Sequence, residues 1–175
     1  FKLTTDAPSW PELEVKLGDV DRGHWKPAGC ESKSKVAVVV PYRDREEHLR
    51  LLLVNLHSLL AKQNLDYAIL IVEQVANQTF NRAGLSNAGF VEAMALYNFS
   101  CVIIHDVDTL PEDGRVDYSC PRKWEVRHMS VALDRLNYTF YKSLGGVAAL
   151  SVEAFRRVNG LSNSYWGWGG EDDDL

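Results

Sequence analysis

The chain announces its architecture through one kind of segment repeated along its length. Val36-Ala37-Val38-Val39-Val40 is a continuous apolar, β-branched run, which predicts a strand buried on both faces of a parallel sheet. Pro41 ends it. Asp44 and Glu47 then stand in a capping-box relation, and Leu49, Leu52, Leu53, Leu56 and Leu60 follow at helical spacing, so a short loop and an amphipathic helix come next. The unit recurs: residues 67–72 form a second apolar run, 83–96 predict a helix rich in small residues, and 101–104 form a third run. Strands alternating with helices imply right-handed crossovers and a parallel sheet. After a polar middle section, 147–150 read as a fourth strand and 152–158 as a short helix. Residues 1–35 are polar and broken by prolines and glycines, with Trp10 and Trp25 as their large anchors. They predict an arm lying on a single α/β domain that spans 36–175.

Composition narrows the class. A 175-residue chain that is 46% apolar and 25% charged is long enough to bury roughly two-thirds of its unfolded surface, which excludes disorder, collagen-like repeats and disulfide miniproteins. Lys and Arg number 19 against 24 Asp and Glu, a net charge of −5, and no basic run occurs. A broad nucleic-acid contact is therefore not expected, because its phosphate term needs clustered cations. The apolar runs fall far short of the roughly 20 residues that a bilayer span requires. Cys30, Cys101 and Cys120 lack Cys-x-x-Cys spacing and are odd in number, so they suggest neither a zinc site nor a complete set of disulfides. Three Asn-x-Ser/Thr triplets, beginning at Asn77, Asn98 and Asn137, point toward the secretory pathway, although such triplets also arise by chance.

In an open parallel sheet, ligands bind beyond the carboxyl ends of the strands. The loops after the three central runs carry Pro41-Tyr42-Arg43-Asp44-Arg45, then Phe80-Asn81-Arg82, then His105-Asp106-Val107-Asp108. Asp106 and Asp108 alternate with Val107, so in an extended segment both carboxylates point the same way, a pairing that suits a magnesium- or manganese-type cation with substrate phosphates. Arg43, Arg45 and Arg82 present rigid donor forks for phosphate or ribose, and Arg43 and Arg82 are the stronger candidates. The tail, Trp166-Gly167-Trp168-Gly169-Gly170-Glu171-Asp172-Asp173-Asp174, pairs glycines that let backbone approach a ligand with tryptophans of the kind sugars stack upon. A carboxylate there could serve as a general base toward a sugar hydroxyl.

Taken in order, PYRDREEHL, FNRAGLSNAGF, HDVDTLP, LGGVAALS and WGWGGEDDD resemble the motif set of the metazoan β-1,4-galactosyltransferases, from about Val36 to the last residue. Within that family, HDVDTLP followed by Asp117-Tyr118 and Pro121 is most similar to member 7, which extends xylose on proteoglycan core proteins. The resemblance implies a GT-A glycosyltransferase, a Rossmann-like, mostly parallel sheet flanked by helices. It also implies UDP-galactose as donor, Mn2+ as cofactor, inversion at the anomeric carbon, and a xylosylated core protein or β-xyloside as acceptor. The setting implied is the Golgi lumen, as the catalytic domain of a type II membrane protein whose anchor is not in this chain.

Position by position, the resemblance assigns donor binding to Pro41, Tyr42, Arg43, Asp44, Arg45, Phe80, Asn81, Arg82, Asp106, Val107, Asp108, Tyr138 and Trp168. Acceptor binding falls to Gly169, Gly170, Glu171, Asp172 and Asp173, with Asp172 the base and Asp108 the metal ligand. The family takes further metal ligands from a His-x-His segment downstream, past Leu175, so the C-terminal part of the catalytic domain is expected to lie outside this chain. Three other readings stand beside this one. A sibling galactosyltransferase would use N-acetylglucosamine as acceptor. A metal-dependent nucleotidyltransferase or phosphohydrolase would cleave the donor at phosphorus. A non-catalytic sugar- or metal-binding module would use the tail alone.

Overall fold

A computed structural model describes residues 1–175 with the exception of Trp168. In chain order the elements are α1 (Trp10–Lys16), β1 (His24–Trp25), β2 (Lys35–Tyr42), α2 (Glu46–Lys62), β3 (Asp66–Glu73), α3 (Arg82–Leu96), β4 (Cys101–His105), β5 (Val126–His128), a 3-10 turn (Asp134–Leu136), β6 (Val147–Ser151) and α4 (Val152–Val158). They form one six-stranded sheet in the order β1-β3-β2-β4-β6-β5. None of the described helices is long and apolar enough to cross a membrane.

The β-branched run becomes β2 at the centre, with Val36 to Val40 fully buried between helices on both faces. It pairs in parallel with β3 and with β4, as the strand-helix alternation predicts. β6, however, runs antiparallel to β4, and β5 antiparallel to β6. The difference has a plain cause. The stretch from His105 to Val147 carries only β5 and a 3-10 turn, so no crossover helix returns the chain to the starting edge. The sheet is mixed, with a parallel centre.

α2 places Leu52, Leu56, Leu59 and Leu60 against the sheet, each almost completely buried and each contributing about 2 kcal/mol by its removal from water. The predicted capping box at Asp44 does not form. Asp44 lies outside the helix with φ 48°, Arg45 occupies the cap position, and no side chain caps the first turn. On the other face, α3 lies so close that a β-carbon on Gly89 would stand 2.4 Å from a methyl of Val39. Phe90 of α3 stacks on Phe155 of α4 with ring centroids 4.1 Å apart. The first 35 residues supply α1, which packs on α2, and β1, which pairs antiparallel with β3. Cys101 and Cys120 form a disulfide and leave Cys30 exposed and free, a pairing the sequence spacing did not indicate.

This topology places the site. β2, β3 and β4 all end at the same edge, and because β6 runs the other way, its leading residues, Gly145 and Gly146, arrive at that edge too. The amide of Asp106 donates to the carbonyl of Gly146 at 2.8 Å, joining the two segments there.

Candidate active site

Beyond that edge lies a cavity of about 610 Å³. Pro41, Arg43 and Arg45 reach it from the loop after β2; Thr79, Phe80 and Arg82 from the entry to α3; Asp106, Val107 and Asp108 from the end of β4. The acidic tail closes the other side with Gly167, Gly169, Glu171, Asp172 and Asp173. Segments remote in sequence therefore meet in one place, as the strand-end argument predicts.

Arg82 is the hub. Asn81 caps α3 by accepting the Gly84 amide at 2.7 Å, which fixes Arg82 at the first position of the helix. Its Nε bonds Asp106 Oδ1 at 2.5 Å and its Nη1 approaches Glu171 Oε1 at 3.5 Å. Burial works against its charge, but Asp106 and Glu171 more than offset that and hold its pKa above the ordinary arginine value. A central guanidinium thus ties the end of β4 to the tail. Arg43 is held differently, donating to the Gln78 carbonyl at 2.5 Å and lying 5.2 Å from the Phe80 ring centroid.

β4 ends at His105, and in place of the extended segment the sequence predicts, residues 106–109 form a turn closed by the Thr109 amide donating to the Asp106 carbonyl at 3.3 Å. Val107 is mostly buried, and all three of Asp106, Val107 and Asp108 line the cavity. His105 behind them is fully buried, with its ring nitrogens 3.0 Å from the Tyr118 hydroxyl and 2.9 Å from the Asp106 carbonyl. Burial pushes its pKa down to about 4, so it is a neutral support for the loop. For a divalent cation, Asp106 is engaged by Arg82, while Asp108 is exposed and has no ion pair among the described residues. No group of three or more His, Cys, Asp or Glu able to hold a metal occurs among the described residues. The donor set fits one carboxylate from this chain, Asp108, acting with substrate phosphates.

In the tail, Asp172 faces Gly145 and Tyr141, whose hydroxyl donates to Asp172 Oδ2 at 3.4 Å. Backbone contacts add to the Arg82–Glu171 and Tyr141–Asp172 contacts in holding the tail and the segment that leads to it. The Gly167 amide donates to the Phe80 carbonyl at 2.8 Å, and the Asn87 side chain pairs with the backbone of Leu161 through bonds of 2.8 and 2.9 Å.

Several assigned residues stand elsewhere. The Tyr42 side chain is buried in the core, with its hydroxyl 3.3 Å from the Arg45 amide. Asp44 is exposed outside the cavity lining, and the Asn81 side chain is occupied by its cap and by the Asn163 carbonyl. Gly170 packs on Tyr165, where a β-carbon would stand 2.6 Å from the ring. Tyr138 bonds Glu112 at 3.0 Å and lines an adjoining cavity of about 590 Å³ that shares Asp106, Asp108, Arg135 and Gly146 with the first. Trp168 lies outside the described residues. Four lining residues were missed by sequence reasoning: Thr79, Arg135, Tyr141 and Gly146. Only Gly146 had a signal, its place in the LGGVAALS motif.

Residues 2–121 match the model for the N-terminal region of glycosyl transferase group 7, and 127–175 match that for the N-terminal domain of galactosyltransferase. The chain is 48% identical to mouse β-1,4-galactosyltransferase 5 over 163 residues, covering 92% of this chain and 40% of that relative. It is 49% identical to human β-1,4-galactosyltransferase 6 over 166 residues, covering 94% of this chain and 42% of that one. A crystal structure of a Drosophila β-1,4-galactosyltransferase 7 mutant in complex with manganese, UDP-Gal and xylobiose superimposes with a TM-score of 0.72 at 33% identity, covering 80% of this chain and 58% of that one. The chain thus spans about 40% of the length of the curated relatives it matches.

Proposed function

Because the chain belongs to glycosyl transferase group 7 and has the GT-A fold, we propose that it carries the donor-side half of a β-1,4-galactosyltransferase that moves galactose from UDP-galactose to the 4-hydroxyl of an acceptor sugar. The observation that carries this reading is the meeting of the Arg82–Asp106 pair, Asp108 and Asp172 in one cavity.

The roles proposed here are those the family resemblance implies, and the meeting of these residues in one cavity supports them. Arg82, held cationic, and Arg43 are placed to take the charge of the donor diphosphate. Asp172 removes the proton from the acceptor hydroxyl as that oxygen attacks the anomeric carbon from the face opposite the leaving group. One base suffices, because UDP leaves readily. Asp108 would hold manganese, which when bound neutralises negative charge on the diphosphate. Glycines on both sides of residue 168 permit the tail backbone to approach the sugars closely. The Golgi lumen is the proposed compartment; the Cys101–Cys120 disulfide and the three glycosylation triplets support it.

Xylose on a proteoglycan core protein is the acceptor the motifs favour, and the xylobiose in the Drosophila member 7 complex supports it. The 48–49% identity to members 5 and 6, against 33% to the Drosophila member 7, keeps a sibling galactosyltransferase with an N-acetylglucosamine acceptor as the second reading. The test is galactose transfer by the full-length protein to a β-xyloside and to an N-acetylglucosaminide, with manganese and with chelator. Metal-dependent transfer with release of UDP upholds the galactosyltransferase, and the sugar galactosylated selects the acceptor. Uridine monophosphate as product, or saccharide binding without transfer, overturns it.

A further inference from the structure

The three Asn-x-Ser/Thr triplets are not absorbed by the proposed chemistry, and the fold sets them in very different places. We propose that Asn98 is an N-glycan attachment site and that, of the three, it is the one occupied in the active protein. The proposal rests on the lumenal setting given above.

Asn98 lies between the end of α3 and the start of β4. Its side chain projects outward because its neighbours are pinned. Tyr97 and Phe99 pack edge to face with centroids 5.1 Å apart, and Phe99 is buried beneath the sheet's second face. The Ser100 amide donates to the Lys35 carbonyl at 2.7 Å and locks the backbone into register with β2. The Phe99 amide donates to the Tyr97 carbonyl at 3.0 Å, a tight turn centred on Asn98, and with Phe99 buried both Asn98 and Ser100 are exposed. The amide and the hydroxyl that the modification needs are thus presented together. They stand at the N-terminal end of β4, roughly 15 Å of strand away from the end that bears Asp106 and Asp108. Beside them, Leu96 and Val91 of α3 are 72% and 62% exposed, an apolar surface that a glycan would cover.

The other two triplets border the site. Asn77 has φ 68°, the Gln78 carbonyl anchors Arg43, and Thr79 lines the cavity together with Gly167 of the tail. A glycan on Asn77 would stand at the mouth through which donor must enter. Asn137, with φ 49°, follows the 3-10 turn whose Arg135 lines both cavities, and the next residue, Tyr138, reaches across the second to Glu112. A glycan there would crowd the same approach.

In the modification, Nδ2 of Asn98 bonds to the anomeric carbon of an oligosaccharide carried on a lipid diphosphate. The sugar–phosphate C–O bond breaks, Nδ2 loses one proton, and the lipid diphosphate leaves.

The test is expression of the full-length protein in eukaryotic cells and its recovery from their membranes. Peptide N-glycosidase, which converts each glycosylated Asn to Asp, is then followed by peptide mass mapping, with Asn98→Gln and Ser100→Ala as two independent variants. The expected result is conversion at Asn98, bare Asn77 and Asn137, and loss of the glycosidase-sensitive mass in both variants. Glycan on Asn77 or Asn137 with Asn98 bare overturns the proposal while leaving the lumenal setting intact. Absence of glycan at all three triplets overturns both.

Discussion

Gly145 and Asp172 are built around each other: a β-carbon on Gly145 would stand 2.1 Å from Asp172 Oδ2 and 3.0 Å from the Tyr141 hydroxyl. Any side chain at 145 must displace the proposed base. Gly145→Ala is expected to lower the transfer rate by about 100-fold, the cost of roughly 1 Å of misplacement, while UDP binding is unchanged. Steady-state kinetics beside a calorimetric UDP titration would check this, and a parallel loss of both would place Gly145 in donor binding instead.

Asp172→Asn removes the proposed base and keeps the shape. Transfer should fall by about 100- to 10,000-fold, with donor affinity nearly intact. Equal losses in the two measurements would reject the assigned role.

Arg82→Leu leaves Asp106 and Glu171 without their shared cation in a largely water-excluded place. Breaking a buried pair in this way costs about 3–5 kcal/mol. Urea unfolding should show that loss, and the double variant Arg82→Leu with Asp106→Asn should recover a measurable part of it. Absence of recovery would mean that the ion pair is not the source of the loss.

His57 on α2 supplies a pH dependence away from the site. Burial pushes its pKa down to about 4, and its Nδ1 lies 2.9 Å from the Tyr67 hydroxyl. The folded value lies below the unfolded one of about 6.5, so the unfolded state takes up the proton first. The contribution of His57 is full above about pH 6.5, declines as pH falls toward 4, and amounts to about 3 kcal/mol over that window. Urea midpoints of the protein and of His57→Gln should converge as pH drops from 7 to 4.5; a constant gap would contradict a neutral buried imidazole.

The Cys101–Cys120 disulfide closes a loop with a sequence separation of 19. Cys120→Ser is expected to cost about 3 kcal/mol through the freed chain entropy of the unfolded state, read as a lowered urea midpoint. Reductant should produce the same shift in the unaltered protein and none in the variant.

The linear pattern determined what is periodic and local. The apolar run at 36–40 and the leucine spacing of α2 each encode a face, because side-chain direction repeats every second residue in a strand and about every 3.6 in a helix, whereas the turn at 106–109 replaced the alternation expected of Asp106, Val107 and Asp108. The chemistry-bearing loops were legible for the same reason, since they follow those runs directly. What the pattern left undetermined depends on long-range approach. β6 turned antiparallel because no helix returns the chain from β4, and that reversal brings Gly145 and Tyr141 to Asp172 and Gly146 to the cavity wall. Tyr42 and Tyr138 looked alike as aromatic residues in polar segments, yet one fills the core and the other binds Glu112 across a second cavity. The pairing of Cys101 with Cys120 and the sharing of Arg82 between Asp106 and Glu171 were decided in three dimensions, where residues far apart in sequence come within bonding distance only after the sheet has formed.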